Sequence, residues 1–583
     1  MQTPWAAPVP SLPAPHWPPG LPRHLTLPQT NVWYNAEVSA ARYPHKPFIV
    51  FYDTTISFGE FKHETERIAG YLQTDCHIRP GDRVLLYMQN SPQWILAFYG
   101  ILRANAVVVP VNPMNRHEEL RHCAGNSGAR AAFVAQELLA QALPLLREDV
   151  APGALQGGPE GPASYRLERI VVATYSDYLR EPTDLQVPVF VSAPARAISD
   201  ADAAAGVEPW RAMMSAARTP GPLTAGPEDP CVMPFTSGTT GAPKGCRHTH
   251  RSVMSTLVGG VHWSARTQDA VYLTVLPLFH VTGMSGSMNG PLYIGATIVL
   301  LPRWHADAAA QMMQRYRVTV WQLITTMMID FVANPRLPEY DLSSLQAVRG
   351  GGAAMPAAIA DKLRRLTGLE YIEGYGMTET MAATHLNPPH RPKAQCLGIP
   401  VFDVDSRIID PVTLKEVGTG ETGEIIVHGP QVMEGYWQDA QGDAQAFLNF
   451  DGKKFLRTGD LGRVDEEGYF FMVDRLKRMI NASGFKVWPA EVEAMMYHHP
   501  EIHEVCVIGA QDARRGETVK ALVVLAPGRE GRLSAAEIVA WAHERMAPYK
   551  CPRIVEFVAS LPKSGSGKVL WRTLQEEENA RAG

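Results

Sequence analysis

Near its N-terminal end the sequence alternates apolar runs with amphipathic stretches, and this alternation constrains the fold more than any other feature. Strand-like runs at 48–52, 81–90 and 106–113 are separated by helix-like stretches at 58–72 and 91–104. Parallel strands need crossover connections of about a dozen residues or more, usually helices. The alternation therefore predicts an α/β fold with a parallel sheet.

The remaining sequence divides into further regions. We predict that residues 151–230 form an irregular excursion with one strand or more, including 170–174, and that the α/β rhythm resumes from 231 to about 400. The runs DSRIID, GEIIVHG and GYFFMVDR then predict short antiparallel strands in a small barrel-like β region. A compact α+β unit is predicted from about 475, with strands at 503–509, 519–525 and 553–559 and a helix at 534–546.

The composition and the N-terminal residues exclude or disfavour several classes of protein. Lys and Arg number 54 and Asp and Glu 59, a net charge of −5, so no global basic field favours nucleic acid. Seven cysteines without a CxxC pair, and no long apolar run, predict a cytoplasmic protein without a spanning helix. Nine prolines within residues 4–28 predict a disordered proline-rich arm over 1–29.

The strongest chemical signal is the segment TSGTTGAPKG at 236–245, which follows an apolar run. Glycines let a backbone approach a ligand closely, while hydroxyls and an ammonium group donate hydrogen bonds to phosphate oxygens. The segment predicts a phosphate-binding loop, although Pro243 before the lysine excludes the Walker A pattern. Its candidate ligand-binding residues are Thr236, Ser237, Gly238, Thr239, Thr240, Gly241 and Lys244.

A second glycine pattern, at Gly418, Gly420 and Gly423, matches the dinucleotide-binding fingerprint by letter. That fingerprint must follow a strand and open a helix. Here it opens the strand-like run EIIVHG, so we predict a hairpin turn instead.

The loop at 236–245 resembles the phosphate loop of the adenylate-forming, or AMP-binding, superfamily, which includes acyl-CoA synthetases, luciferases and peptide-synthetase adenylation domains. Four further motifs that resemble those of the family follow in the family's order. They are YGMTET (375–380), RTGD (457–460), DRLKRMINASGFKVWPAEVE (474–493) and PKSGSGKV (562–569). The whole pattern is most similar to fatty-acyl-CoA synthetases.

The resemblance implies a large N-terminal domain over 30–473 and a small mobile domain over 474–583, hinged at Asp474. It also implies roles for individual residues. The loop residues would hold the β- and γ-phosphates of ATP, and Glu379 would bind Mg²⁺. The remaining positions that it implies are Tyr375 at adenine, Asp460 and Arg475 at ribose, Thr378 and Lys568 at the α-phosphate, Gly351 and Gly352 along adenine and acyl group, His280 at the substrate carboxylate, and Gly484 along the arm of coenzyme A.

The implied activity has two steps: a carboxylic acid and ATP form acyl-AMP and pyrophosphate, and coenzyme A then yields acyl-CoA and AMP. Because no charged residue occurs from Val318 to Ile329, we predict an apolar acyl pocket along Trp321–Met328, suited to a medium- or long-chain fatty acid. The alternatives are an aryl-CoA ligase of the benzoate or cinnamate type and a non-catalytic binding homologue. The sequence leaves peripheral membrane contact and a homodimer open.

Overall fold

The structure is a computed structural model. It describes residues 16–148, 166–236, 243–352, 355–475, 478–482, 485–512, 516–529, 531, 533–565 and 567–582.

Over these residues, the largest sheet has nine strands and is parallel through its centre. Three antiparallel pairings, two at one edge and one at the other, make it a mixed sheet. In spatial order its strands are Ile399–Pro400, Ala382–Leu386, Tyr371–Met377, Ala347–Gly351, Val320–Leu323, Val271–Thr274, Thr297–Leu300, Pro47–Phe51 and Thr54–Ser57.

A second sheet has eight strands in the described part of the chain, and the strands at its centre are parallel. It contains the stem of the predicted phosphate loop as an antiparallel pair, Pro230–Val232 with Cys246–Thr249. In spatial order its strands are Gly435–Tyr436, Cys246–Thr249, Pro230–Val232, Val107–Pro110, Arg83–Tyr87, Ala131–Ala135, Arg169–Ala173 and Val207–Pro209.

The third sheet is antiparallel and corresponds to the predicted small β region. Its strands are Asp405–Ile409, Gly423–His428, Lys453–Val464 and Phe447–Phe450, with Phe470–Arg475 paired to the third of them. Gly420 adopts a φ of +84° ahead of the strand at 423–428, which pairs antiparallel with 405–409. The glycine pattern is therefore a turn between strands, as predicted.

The C-terminal region has a sheet of its own. Its strands are Phe485–Val487, Ile480–Ala482, Gly516–Leu525 and Ile502–Asp512, with Ile554–Phe557 paired parallel to the third of them. A separate hydrophobic cluster, centred on Val487, Val507 and Val523, packs beneath this sheet. A mixed α/β fold with a large N-terminal part and a small C-terminal part is thus confirmed.

The helices cover the faces of these sheets, and local sequence determines where they begin. Ser57 and Ser91 each accept a hydrogen bond from a backbone N–H three residues later, and Pro92 occupies the first helical position, where proline's fixed φ is favourable. The α-helices are Tyr34–Arg42, Phe58–Thr74, Pro92–Arg103, His117–Ser127, Leu139–Ala142, Val189–Ser192, Asp200–Ala204, Trp210–Ser215, His250–Ser264, Val281–Gly283, Gly290–Ile294, Ala306–Arg315, Thr325–Ala333, Ala357–Thr367, Ala440–Ala446, Pro489–Met496, Ala535–His543 and Trp571–Ala582.

Two sequence predictions need correction. The excursion at 151–230 is less irregular than predicted, because its described part adds two parallel strands, 169–173 and 207–209, to the second sheet. The prediction of a disordered arm is wrong for residues 16–29, whereas residues 1–15 lie outside the described residues.

Aromatic packing holds this N-terminal segment against the large domain. The ring of Trp17 meets the rings of Trp263 and Phe402 edge-on, with centroids 5.0 and 5.2 Å apart. His16 hydrogen-bonds Glu467 at 3.0 Å. Edge-to-face aromatic pairs are each worth about 0.5–1.5 kcal/mol beyond their buried area, so these contacts contribute to holding a proline-rich segment that forms no helix or strand of its own.

No helix among the described residues is both long and apolar enough to cross a bilayer.

Candidate active site

A cavity of about 500 Å³ lies at the carboxyl ends of the central strands of the nine-stranded sheet. His280 follows the strand Val271–Thr274, Gly352 follows Ala347–Gly351, and Thr378 follows Tyr371–Met377, and all three residues line the cavity. Ligands of open α/β sheets bind at this edge, because the strand ends and the loops after them leave a crevice there. The fold therefore brings together residues that are about a hundred positions apart in sequence.

Two glycines of the cavity wall make close contacts that a side chain would disturb. A Cβ atom on Gly351 would lie 2.2 Å from the carbonyl oxygen of Gly374 on the neighbouring strand. Gly352 has a φ of +86°, and a Cβ there would lie 2.9 Å from Cε of Lys568. The predicted glycines thus let two strands and a lysine from the C-terminal region approach one another closely.

The stem of the predicted phosphate loop is well defined. The backbone N–H of Thr236 donates to the carbonyl of Lys244 at 2.9 Å, and Phe235 pairs with Gly245, so the chain enters and leaves the loop as a hairpin. Thr236 and Lys244 line the cavity. The other loop candidates, Ser237, Gly238, Thr239, Thr240 and Gly241, lie outside the described residues.

Lys244 has two partners at the mouth of the loop. Its Nζ lies 2.7 Å from a carboxylate oxygen of Asp439 and 4.9 Å from the centre of the Tyr436 ring. Burial, the largest single contribution, raises the pKa of Asp439, but the hydrogen bonds from Lys244 and from the backbone N–H of Gly442, together with the charge of Lys244, outweigh it and lower that pKa. The ammonium group is therefore held at the cavity by a carboxylate with which a phosphate would compete.

Tyr436 joins the lysine to the predicted magnesium ligand. Its hydroxyl donates to the carboxylate of Glu379 at 3.0 Å, and Glu379 is buried. Burial, together with the charge of Glu379, raises the pKa of Tyr436, so that its hydroxyl remains a donor. Lys244 and Glu379 consequently flank one aromatic ring, although 135 positions separate them in the sequence.

A second group of polar residues closes the other side of the cavity. The hydroxyl of Tyr375 donates to a carboxylate oxygen of Asp460 at 2.7 Å, and both residues are buried. Arg457 donates to Glu424 through Nε at 3.0 Å and Nη2 at 2.6 Å, while the N–H of Gly459 donates to the same carboxylate at 3.1 Å. Glu424 therefore fixes the turn that presents Asp460.

Arg475 and the hinge motif adjoin this group. The backbone of Arg475 pairs with that of Asp460 in antiparallel register. The side chain of Arg475 lies outside the described part of the structure. Asp474, one residue earlier, is buried and accepts a hydrogen bond from the backbone N–H of Ala490 at 2.9 Å. Asp474 thus links the last strand of the β region to the first helix of the C-terminal region. Gly484 lies outside the described residues.

Lys568 enters the cavity from the C-terminal region. The turn that carries it is closed by a hydrogen bond of 2.7 Å from the N–H of Ser564 to the carbonyl of Lys568. Thr326 of the large domain donates to the carbonyl of Gly567 at 3.4 Å, which docks this turn on the cavity rim. Burial, with a smaller contribution from the charge of Lys568, lowers the pKa of His280 to about 3. His280 therefore presents a neutral imidazole beside a cationic lysine.

The predicted acyl wall is wrong. Gln322 pairs in register with Arg349, and Arg349 with Ile372, so these three side chains share the sheet face that lines the cavity. Trp321 lies on the opposite face, where it stacks on Trp304 with the ring centres 5.7 Å apart. The other proposed wall residues are accounted for elsewhere: Met327, Met328 and Thr325 are buried, and Thr326 contacts the turn of Lys568.

Several residues of the cavity escaped the sequence analysis. Glu424 was detectable as a lone acid within an otherwise apolar strand, and Arg349 as a charge directly before three glycines. Tyr436 and Arg266 carry no local signal, because only tertiary structure brings them to the cavity. Lining residues of this kind, which were not predicted as site residues, include Arg266, Gln322, Arg349, Glu424 and Tyr436.

Comparison with protein-family models matches residues 36–437 to the model described as AMP-binding enzyme and residues 491–568 to its C-terminal domain. The first match alone covers more than half of the chain. The chain belongs to the AMP-binding enzyme family. The superfamily predicted from the motifs is thus confirmed.

Known relatives of this family agree along almost the whole length. The chain is 32% identical over 584 residues to a long-chain-fatty-acid–CoA ligase of Bacillus subtilis, with 99% of this chain and 98% of that protein covered. The structure of an anthranilate CoA ligase with anthranoyl-AMP matches with a TM-score of 0.80 at 26% identity, covering 97% and 99% of the two chains. ATP-bound MatB from Rhodopseudomonas palustris matches with a TM-score of 0.78 at 25% identity, covering 95% and 100%.

Buried histidines make the stability of this family member sensitive to acid. Burial lowers the pKa of His248 and His250 from 6.5 to about 4, and that of His280 and His385 to about 3. Between these values and 6.5 the unfolded chain binds more protons than the folded chain, so stability is fully present above pH 6.5 and is lost as the pH falls. Burial raises the pKa of Glu373 to about 7 and also raises those of Glu64, Glu137 and Asp177, and these carboxyl groups act in the opposite direction and offset part of the effect of the four histidines.

We therefore expect the unfolding midpoint in urea to fall between pH 6.5 and about 4. His250→Asn should reduce this fall, because an amide oxygen can accept the hydrogen bond that His250 accepts from Val32 without taking up a proton. The expected contribution of His250 is at most about 3 kcal/mol. Equal pH dependence in the variant and the parent protein would contradict the assignment.

Proposed function

We propose that this chain is an ATP-dependent acyl-CoA synthetase. In the first half-reaction a carboxylate oxygen of the acid attacks the α-phosphorus of ATP. The bond from that phosphorus to the bridging oxygen breaks, so that acyl-AMP forms and pyrophosphate leaves. Such a substitution is catalysed mainly by positioning and by neutralising charge on the phosphate oxygens.

In the second half-reaction the sulfur of coenzyme A attacks the carbonyl carbon of acyl-AMP. The bond between that carbon and the phosphate oxygen breaks, AMP leaves, and the thiol proton passes to solvent. The acyl carbonyl is uncharged, and the neutral imidazole of His280 suits it better than another cation beside Lys568 would. The close backbone at Gly351 likewise adds no charge there. We assign His280 to orienting the carboxylate and the acyl group, and Thr378 to the α-phosphate.

The entry of Lys568 into the cavity is the observation that carries this proposal. Its side chain lies against Gly352 and is near enough to His280 to affect the pKa of that imidazole. A cation at this point can balance the charge that develops on the α-phosphate, as oxyanion-stabilising donors do elsewhere. A scaffold protein that had lost catalysis would have no use for a half-buried lysine delivered to the cavity from a second region.

The nucleotide would occupy the rest of the cavity. Lys244 and the loop at 236–245 would hold the β- and γ-phosphates, with Lys244 exchanging Asp439 for phosphate oxygens. Asp460, a buried carboxylate, would accept from the ribose hydroxyls, and Tyr375, which hydrogen-bonds it, would lie against adenine. Arg475, in register with Asp460, would also reach the ribose.

The residues present fit a magnesium ion. Mg²⁺ is usually bound by one or two carboxylates together with substrate phosphates rather than by an all-protein cage. Among the described residues no group of three or more His, Cys, Asp or Glu could hold a metal, whereas Glu379 offers one buried carboxylate near Lys244. Glu379 would hold the ion, which when bound neutralises phosphate charge.

We further propose that the small domain turns about Asp474 between the two half-reactions. Lys568 serves adenylation because its charge meets the phosphates, whereas Gly484 would leave room for the thiol arm of coenzyme A. Both belong to the region after Asp474, and each would serve a different half-reaction at the same cavity. The turn of Lys568 contacts Thr326 and lies against Ile324 and Asn112 of the large domain, and a hinge motion would break these contacts.

The experiment that tests the function is product identification. The purified chain is incubated with ATP, Mg²⁺, coenzyme A and single acids, and acyl-CoA, AMP and pyrophosphate are measured by mass spectrometry. The acids cover fatty, aromatic and dicarboxylic types. We expect equal amounts of the three products with the accepted acids. Formation of ADP and phosphate, or no acid-dependent pyrophosphate with any acid, would overturn the proposal.

A further inference from the structure

Two arginines lie where the acyl group would end. Arg266 and Arg349 both line the cavity. Arg349 is level with Gln322 and lies two residues before Gly351 on its strand, and Arg266 contacts Gln346 further back along the same chain segment. Arg349 is on the central strand Ala347–Gly351, on the face that the cavity occupies. Arg266 follows the helix His250–Ser264 that covers this face. Their positions are thus set by a strand and a helix end.

The hydrogen bonds of these guanidinium groups leave donors unused. Arg349 donates to the hydroxyl of Ser264, and Arg266 donates to the side-chain oxygen of Gln346 at 3.2 Å. The Nε–H of each arginine is buried and finds no acceptor among the described residues. An unsatisfied donor on a charged group costs more than one on a neutral group, and few buried polar groups go without partners unless a ligand supplies them.

The two arginines pair with neutral side chains and not with acids in the part of the chain that the structure describes. Neither has a salt bridge to a described Asp or Glu at 4.0 Å or less. The acids that line the cavity are Glu379, Glu424 and Asp460, which belong to its nucleotide end. Burial, and then the positive charge of Arg349, lower the pKa of Arg266, as expected for two cations that repel each other. An anion from outside the chain would relieve this repulsion.

We propose that Arg266 and Arg349 bind a second carboxylate at the far end of the substrate, so that this chain activates linear dicarboxylic acids in preference to monocarboxylic acids. This inference rests on the proposed acyl-CoA synthetase activity. Guanidinium groups match the geometry of carboxylates and form charge-assisted hydrogen bonds with them.

The dimensions and walls between the two ends fit an alkyl chain. Along the strand from Gly351, Arg349 is two residues away and Gln346, which accepts from Arg266, is five residues away, about 7 and 17 Å at about 3.3 Å per residue. An extended dicarboxylic acid such as suberate or sebacate spans a distance between these two values, whereas succinate is too short for the nearer of them. The lining of the cavity includes the small or apolar residues Leu257, Gly260, Val261, Gly286 and Gly290.

The experiment measures kcat/KM for acid-dependent pyrophosphate release with matched acids. Suberate and octanoate have equal length and differ in the second carboxylate, and monomethyl suberate keeps the length but neutralises the charge. We expect the parent chain to prefer suberate to both by about a hundredfold or more, since a site built for a polar group rejects analogues that lack it. Equal values for suberate and octanoate would overturn the inference.

Variants test the two residues directly. Arg349→Met and Arg266→Met keep much of the side-chain volume and should each lower kcat/KM for suberate by about tenfold to a hundredfold. They should leave octanoate unchanged or improved, which also shows that the variants fold. Arg364→Met, at an exposed helix position with a surface ion pair, is the matched control and should change neither value. Equal losses for both acids in the Arg349 variant would overturn the inference.

Failure of this inference can be told apart from failure of the proposed function. If no acid in the panel supports pyrophosphate release, the acyl-CoA synthetase assignment itself fails. If octanoate or benzoate is converted to its thioester at least as well as suberate, the enzyme activity stands and the arginine site does not bind a second carboxylate.

Discussion

Replacing Lys568 with alanine is expected to lower the rate of acid-dependent pyrophosphate release by about 10²–10³. Lys568 supplies a cation to the cavity from the C-terminal region, and alanine removes that charge without filling the space beside Gly352. The second half-reaction should survive, because the thiol attacks an adenylate that is already formed. The measurement compares pyrophosphate release with thioester formation from supplied acyl-AMP and coenzyme A.

A lysine outside the cavity gives the control. Lys550 lies in the same small domain and forms a surface ion pair with Glu491, so Lys550→Ala should leave both half-reactions unchanged. Gly484→Leu should show the reverse of Lys568→Ala, with pyrophosphate released but little thioester made. Lys568→Ala and Gly484→Leu variants that slow both half-reactions by the same factor would refute the alternation of the small domain.

Replacing Glu379 with glutamine should lower acid-dependent pyrophosphate release by a similar factor of about 10²–10³. Glutamine keeps the shape and can still accept the hydrogen bond from Tyr436, so the change removes the charge and little else. A neutral amide binds Mg²⁺ less well than a carboxylate. The rate should therefore also need a higher Mg²⁺ concentration, which a titration of initial rates would show.

Glu434 provides the matched carboxylate for this test. It is two residues from Tyr436, and its carboxylate lies 3.9 Å from Arg247 at the surface. Glu434→Gln should leave both the rate and the magnesium requirement unchanged. Near-normal turnover by Glu379→Gln at the same Mg²⁺ concentration would remove the basis for the metal assignment.

The sequence predicts the fold well wherever local pattern and tertiary structure agree. The helix predicted at 58–72 is found at Phe58–Thr74, and the strand predicted at 519–525 lies within Gly516–Leu525. The order of strands in each sheet could not be predicted, because register and neighbours depend on contacts between distant segments. The docking of Trp17 on Trp263 and Phe402 likewise has no local signal.

For the site, motifs predict which residues meet but not which face of a strand they occupy. Lys568, His280 and Gly352 lie together at the cavity, whereas the roles that the family resemblance implies for them stay predictions. The acyl wall failed because a strand alternates its side chains between two faces. Trp321 and Gln322 are adjacent in the sequence, yet one packs in the core and the other lines the cavity.

This alternation also changes the expected substrate. An apolar wall would have favoured a fatty acid. The face that lines the cavity instead presents Gln322 and Arg349, with Arg266 beside them. These residues do not favour an aryl-CoA ligase. A plain aromatic acid such as benzoate has no second carboxylate to accept hydrogen bonds from the two arginines.

The central claim is that a carboxylate attacks the α-phosphorus of ATP in this cavity. It is tested most directly with an accepted acid whose carboxylate oxygens carry the heavy stable isotope of oxygen. After one full reaction with ATP and coenzyme A, mass spectrometry of the products should find one labelled oxygen in AMP and the other in the thioester carbonyl. Label in inorganic phosphate, or AMP without label, would contradict the account.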